Sequence, residues 1–359
     1  MAICYLQSLK SKIKDVIKVI INTFSPLLSL SVYKKMQSKK RNSVFILKPE
    51  SFKKIQIITL LLLIFKTSLA QDPTFSQFHN NPIYLNPALA GADHGCPSIH
   101  INSRYQNFNT GIFNTNTVSI DSYNRKLRGG IAFNLVNEMV GYNTYINNAA
   151  YLTYSFHQKL SRNYTLLVGV QAGYNQNFFN WNELNFGDQI DPRVGFIYTT
   201  SDLPGGAVYQ NLWGTIRYLN INSGIAIYSP LIYGGFSVKN LLKPRRSFLQ
   251  DQIKLDRKYI AHLGLNFNLE NYSNILENVV ISPQFMYSKQ GRFEEIIFGF
   301  NAKYKIISLG SFFRINNAVI FSIGLNFNKL KLTYSQDYQV YNYSGILNKI
   351  HEVSLHLFF

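Results

Sequence analysis

A transmembrane antiparallel β-barrel of the bacterial outer membrane, about 14 strands with a short N-terminal plug or cap segment, is the fold this 359-residue chain predicts. Three observations point there. Aromatics reach 15%, with 24 Tyr and 27 Phe, while charged residues are also 15%, below the usual quarter. After residue 97 the hydropathy alternates with a period of two, which is a strand signal. The face opposite the apolar one is built of Gly, Asn, Ser, Thr and Gln; these suit a barrel lumen, where a solvent-facing sheet would carry Lys and Glu. A mean hydropathy of −0.05 excludes a bundle of membrane helices.

The first 70 residues read as an address. Residues 51–70, SFKKIQIITLLLLIFKTSLA, have the plan of a secretory signal peptide. Lys53 and Lys54 come first, then a mainly apolar run from Ile55 to Phe65, then small residues at Ser68 and Ala70. Cleavage is expected between Ala70 and Gln71. The run is shorter than the ~20 residues a spanning helix needs. Residues 1–50 form an N-terminal extension. KSKIKDVIKVIINTF has the spacing of a basic membrane-surface helix; the other reading is a start codon placed too early, with translation beginning at Met36.

The net charge of +18 is concentrated in this front end. Residues 1–70 hold 13 of the 36 Lys and Arg and 2 of the 18 Asp and Glu, so the remainder carries +7. No run in that remainder is suited to tracking phosphates, and no nucleic-acid partner is expected.

Residues 71–97 come next as a plug or cap segment, opening QDPTFSQFHNNPIYLNPALAG. Pro73, Pro82 and Pro87 fix φ and remove donors, so this is not a strand. Asn81-Pro82 and Asn86-Pro87 initiate turns. PALAG reads as one helical turn stopped by Gly91. A stiff polar segment ahead of the first strand is suited to folding into the lumen, capping the periplasmic rim, or meeting a partner.

The barrel is expected over 98–359. In VIFSIGLNFN, Val319, Phe321, Ile323, Leu325 and Phe327 share one face, against Ile320, Ser322, Gly324, Asn326 and Asn328. LLVGVQAGYN sets Val168, Val170, Ala172 and Tyr174 against Gly169, Gln171, Gly173 and Asn175. Strands of about nine to eleven residues would cross a bilayer when tilted. Short turns at Asn124-Arg125-Lys126 and Asn328-Lys329, with long connections at 178–212 and 240–258, fit a barrel with short turns on one side and loops on the other. An even strand number is preferred, and closure removes the edges that lipid cannot satisfy. The chain ends in HEVSLHLFF, with Val353, Leu355, Leu357 and Phe359 on one face.

The two opening motifs resemble the start of the PorP/SprF family of the type IX secretion and gliding machinery. Members open with Asp-Pro-x-Phe-Ser-Gln, then Asn-Pro-Leu-x-x-Asn-Pro-Ala-x-Ala-Gly. The matching positions are Asp72, Pro73, Phe75, Ser76 and Gln77, then Asn81, Pro82, Asn86, Pro87, Ala88, Ala90 and Gly91. The resemblance continues through GVQAGYNQ, LNFGDQIDP, GGFSVKNLLKP, LTYSQDY and HEVSLHLFF, and so covers 71–359. An Arg-x-Gln-Trp cluster typical of the first strand appears as Arg104 and Gln106, with Phe108 in place of Trp; a Ser-Tyr-Asp core appears as Ser335-Gln336-Asp337.

The resemblance implies an outer-membrane protein that assists secretion or surface anchoring of adhesins. Its implied partners are other type IX secretion components, the C-terminal domain of a secreted adhesin, and the lipid bilayer. The implied contact or motif residues are Asp72, Pro73, Phe75, Ser76, Gln77, Asn86, Pro87, Ala88, Gly91 and Arg104. The alternative is a porin or FadL-like channel for small solutes, whose signature would be clustered lumen charges; the lumen face reads as neutral.

No catalytic, cofactor or metal site is expected. His79, His94, His100, His157, His262, His351 and His356 are scattered, without carboxylates at ligand spacing. His94 and His100 flank a turn, and His157 and His262 fall on polar strand faces. Cys96 is alone once Cys4 is removed with the leader. GDQID, with Asp188 and Asp191, lacks the closing Glu of a calcium loop. LPGGA lacks the Lys-Ser/Thr of a phosphate cradle. The basic stretch 243–258, KPRRSFLQDQIKLDRK, reads as a solvated loop or as a surface for acidic lipid heads or a partner.

Overall fold

The computed structural model describes residues 72–92, 97–108, 111–180, 189–191, 193–196, 213–246, 254–269, 279–340 and 349–359. The signal peptide and its cleavage site, the extension 1–50, Cys4, Cys96, His94, Asp188 and LPGGA lie outside the described residues.

Fourteen strands make one closed antiparallel barrel. They are β1 (Ser98–Phe108), β2 (Gly111–Asn124), β3 (Gly129–Val140), β4 (Tyr145–Lys159), β5 (Thr165–Asn180), β6 (Trp213–Tyr228) and β7 (Ile232–Lys239). The second half is β8 (Lys258–Leu265), β9 (Val279–Gln290), β10 (Phe293–Tyr304), β11 (Ile307–Arg314), β12 (Ala318–Asn326), β13 (Leu330–Gln339) and β14 (Lys349–Phe358). Each pairs with the next. β1 and β14 close the ring from Ser98↔Phe358 to Asn107↔Lys349. Past Asn266, Phe267–Asn268 carries β8 onward against β9. A two-residue ladder, Ile190–Asp191 with Gly195–Phe196, lies in the β5–β6 connection. There Asp191 accepts from the N–H of Arg193 and Val194, so it shapes its own loop.

The alternation read from the sequence becomes an inside and an outside. On β5, Val168, Val170 and Tyr174 are exposed while Gln171 and Asn175 are buried. On β12, Phe321, Ile323 and Leu325 are exposed and Ser322 is buried. On β14, Val353 faces out, while Glu352, Ser354 and His356 are buried. Exposure of the large apolar side chains and burial of the small polar ones reverses the order of a soluble protein. It is the pattern of a wall with hydrocarbon outside.

Connections 125–128, 160–164, 229–231, 305–306 and 327–329 all lie at the end where β1 begins, which is here the turn end. Residues 181–212, 240–257 and 340–348 join strands at the opposite, loop end. Short turns on the periplasmic side are the rule for such barrels. The strands are less uniform than expected. β4, β5 and β6 have 15, 16 and 16 residues, whereas β7, β8 and β11 have 8. The three long strands exceed the length that crosses a bilayer, and at the loop end β5 and β6 continue past the last β6–β7 pair, Ser223↔Val238.

Val170 is the sixth of the 16 residues of β5 from the turn end and faces outward, mid-height in a span of about ten residues, so Val170→Arg is expected to destabilise the barrel by about 2–4 kcal/mol, read by denaturant unfolding in lipid vesicles.

Candidate functional site

The lumen is occupied by the chain's own residues 72–92. Their local structure follows the prolines. A 3-10 turn covers Phe78–Asn80, a short helix α1 covers Pro82–Leu85, and a second 3-10 turn covers Pro87–Leu89. Each Asn-Pro pair starts one of the last two. Asn86 caps its turn by accepting the N–H of Ala88 at 2.9 Å. Asn81 does not cap; its amide donates instead to Thr117 Oγ1 on β2, at 2.7 Å.

The segment threads the lumen from the loop end to the turn end. At the top, Asp72 takes bonds from the amides of Asn240 (2.7 Å) and Gln290 (3.1 Å), and Lys258 Nζ donates to the carbonyls of Asp72 and Pro73 and to Thr74 Oγ1. Arg246 of the following loop stands 3.8 Å from Asp72 and also donates to the Tyr145 hydroxyl. Tyr84 donates to the Pro73 carbonyl at 2.7 Å, and Lys239 sits 3.3 Å above its ring. At the bottom, Gly91 N–H donates to Asp121 Oδ2 at 2.7 Å, Ser155 Oγ donates to the Ala88 carbonyl, and His157 Nε2 meets the Ala90 carbonyl. Of the placements the sequence allows, folding into the lumen is the one found, and only the last third of the segment lies near the turn end.

Between these ends lies a buried charge cluster. Arg314 pairs with Glu295 (2.8 Å) and Asp337 (2.9 Å), and Arg104 stands 3.7 Å from Asp337. Asp337 also accepts from Ser76 Oγ at 2.6 Å, and that hydroxyl accepts from Arg314 Nη2 at 2.8 Å. Glu352 uses both carboxylate oxygens on the plug, one for the N–H of Ser76 (2.8 Å) and one for that of Gln77 (3.0 Å). The Gln77 amide donates to Ser335 Oγ and accepts from Ser354 Oγ. Two cations thus face three carboxylates, and backbone donors of the plug satisfy the third. The neutral lumen expected from the sequence is corrected here. Charges are few per strand, but β1, β10, β11, β13 and β14 each send one inward to a single place.

An apolar patch inside the wall holds the plug as well. Phe78 and Leu85 pack with Ile260, Met286, Ile297, Phe312 and Ile320, all facing inward from β8 to β12. Ala88 and Leu89 pack on Leu167 and Ala226, and Ile83 and Ala90 on Ala132. Wall glycines set the approach. Gly91 has φ +67°, and a Cβ there would come to 2.7 Å from Gly130 Cα. A Cβ on Gly169 would overlap the backbone of Pro87 and Ala88.

The structure brings the residues singled out from the sequence together. Phe75, Ser76, Gln77, Asn86, Pro87, Ala88, Gly91 and Arg104 are buried in the lumen, and Asp72 and Pro73 are half-buried at its loop end. Ser335 and Asp337 hold the plug, while Gln336 between them faces outward. His100 lies within β1, facing the lumen, not at a turn. Ser98, His100 and Asp121 lie together, yet Ser98 and Asp121 both meet the same ring nitrogen, Nε2. A proton relay needs its base and its orienting carboxylate on opposite ring nitrogens, so this trio is not one. Among the described residues there is no group of three or more His, Cys, Asp or Glu placed to hold a metal.

The family described as "Type IX secretion system membrane protein PorP/SprF" matches this chain over residues 67–357. No curated protein matches it. Among solved structures, Omp33 of Acinetobacter baumannii is similar at TM-score 0.40 and 7% identity, covering 74% of this chain and 98% of that one. The toluene transporter TodX of Pseudomonas putida is similar at 0.38 and 9%, covering 81% and 94%. A FadL homologue of Pseudomonas aeruginosa is similar at 0.35 and 10%, covering 73% and 89%.

Gly169→Ala is expected to loosen the plug without opening the barrel, seen as faster proteolysis within 72–92 of a protein that still migrates as a folded barrel. Glu352→Ala strands two buried N–H donors and is expected to lower stability by about 1–3 kcal/mol in denaturant unfolding.

Proposed function

The chain belongs to the PorP/SprF family of type IX secretion system membrane proteins, and we propose that it serves as a closed outer-membrane scaffold that assists secretion or surface anchoring of adhesins. Membership implies contact with other components of that system. In the proposal those components meet the turn end from the periplasm, and the C-terminal domain of a secreted adhesin is received at the loop end. The chain reaches the outer membrane behind a signal peptide at 51–70, cleaved after Ala70. The ten motif residues act by fixing the plug, not by touching a partner.

One observation carries this reading: the lumen is filled by residues 72–92, bonded to the wall from end to end. A filled lumen leaves the two rims and the loops as the surfaces for work. The clustered charges that a selective channel would need are present, but they are spent on the plug and on one another. A segment bonded across the lumen from the loop end to the turn end stands in the path of any row of ion sites.

Crosslinking of the tagged protein in native outer membrane, followed by pull-down and mass spectrometry, is expected to recover a secreted protein through its C-terminal region together with periplasmic secretion components. Recovery of the barrel alone would overturn the reading. In planar bilayers the intact protein is expected to be silent, and a variant lacking 72–91 to conduct; steady conductance by the intact protein would favour the channel.

A further inference from the structure

Among the described residues β6 has a partner along all of one edge and half of the other. β5 pairs with it from Thr165↔Tyr228 to Asn180↔Trp213. β7 pairs only with its lower part, from Tyr228↔Tyr233 to Ser223↔Val238. One more backbone bond, Leu241 N–H to the Ile221 carbonyl, ends that contact. In an antiparallel ladder, successive residues turn their N–H and C=O to opposite sides. Ile221 turns toward β7, so Leu219, Arg217 and Thr215 turn the same way. Among the described residues nothing meets those backbone groups.

Residues 240–246, which follow β7, go elsewhere. The Asn240 N–H bonds Asn222, and Arg246 crosses the mouth of the lumen to Tyr145 and Asp72. Among the described residues the upper part of β6 has no neighbour on this edge, beside the loop end. Such an edge is costly in hydrocarbon, so it stands in water. Proteins usually protect edges of this kind because any extended chain can add to them.

We propose that the upper edge of β6, residues 215–219, docks an extended segment of a secreted partner by β-strand addition, with a carboxylate of that segment opposite Arg217. The proposal rests on the reading above that a partner is received at the loop end. Main-chain bonds supply the affinity in this mode, and side chains supply the choice. Thr215, Arg217 and Leu219 are exposed, Leu219 at 67%. Arg217 is the charge at the middle of the edge, and its cross-strand neighbour is the neutral Gln176. Opposite charges across strands stabilise and like charges destabilise. A second copy is thereby disfavoured, since antiparallel pairing of two such edges about their centre sets Arg217 against Arg217.

The test uses the full chain in native outer membrane. A photo-crosslinking residue is placed at Leu219 and, as a control, at Phe321 on another part of the wall. Leu219 is expected to capture a secreted protein and Phe321 not to. In the tagged pull-down, Arg217→Pro removes one edge N–H and none of the bonds to β5, and is expected to cut capture about tenfold. Arg217→Ala keeps the backbone and is expected to cut it no more than about fivefold. Undiminished capture by Arg217→Pro, with the barrel still folded on unheated gels, would overturn the docking edge while leaving the partner reading intact. So would crosslinks from Leu219 into residues 181–212 of the same chain or into a second copy. If the parent protein captures no secreted partner at all, both fall together.

Discussion

Lipid cannot hydrogen-bond a backbone, and the rest of this molecule follows from that. Every strand within the bilayer must have two neighbours, so the sheet must close, and β1 must find β14. Closure by 14 strands encloses a lumen too wide for wall side chains alone to fill in this protein. The segment ahead of β1 supplies the missing volume. Its composition is the other half of the same constraint. The wall has turned its apolar residues outward, so the filler must be mostly polar, carrying its own turns and enough side-chain amides to meet Ser, Thr, Asn and the charged residues inside.

The fit is not uniformly polar, and the exceptions fix the register of the plug. Phe78 and Leu85 enter an apolar recess on β8 to β12, while Ser76 and Gln77, just ahead of them, meet Glu352 and Asp337. A shift of the segment by one residue would bring N–H donors away from Glu352 and apolar rings toward Arg314. Buried charges are expensive unless paired and hydrogen-bonded. Here the pairing is completed by the plug itself, so the charges specify a position as much as they stabilise one.

Much of this was legible in the sequence. Periodicity of two, with neutral small residues on one face, gave the wall and its inside-out character, and the count of strand-like runs with the even-number preference gave about 14 strands. The prolines of 72–91 marked a non-strand segment, and Asn86 and Gly91 take the turn roles their types suggest. What was hidden is long-range. No local pattern says that Arg104, Glu295, Arg314, Asp337 and Glu352, spread over five strands, converge on one point. The inward Ile260, Met286, Ile297, Phe312 and Ile320 depart from the small polar residues expected on the lumen face, and their packing on Phe78 and Leu85 of the plug explains them. The height difference between β6 and β7 was also invisible, because a strand pattern does not say where its neighbour stops.

Residue 76 is bonded to residue 352, a separation of 276 positions. The plug ahead of β1 is therefore gripped by β14, the same strand that shuts the ring. A polypeptide truncated before β14 would lose its seam and the hold on its filler in one stroke, leaving an unpaired β1 edge and an open core. Contacts of such range form slowly, since a long loop must close before they form. Closure of the ring and the hold on its filler thus depend on one and the same strand.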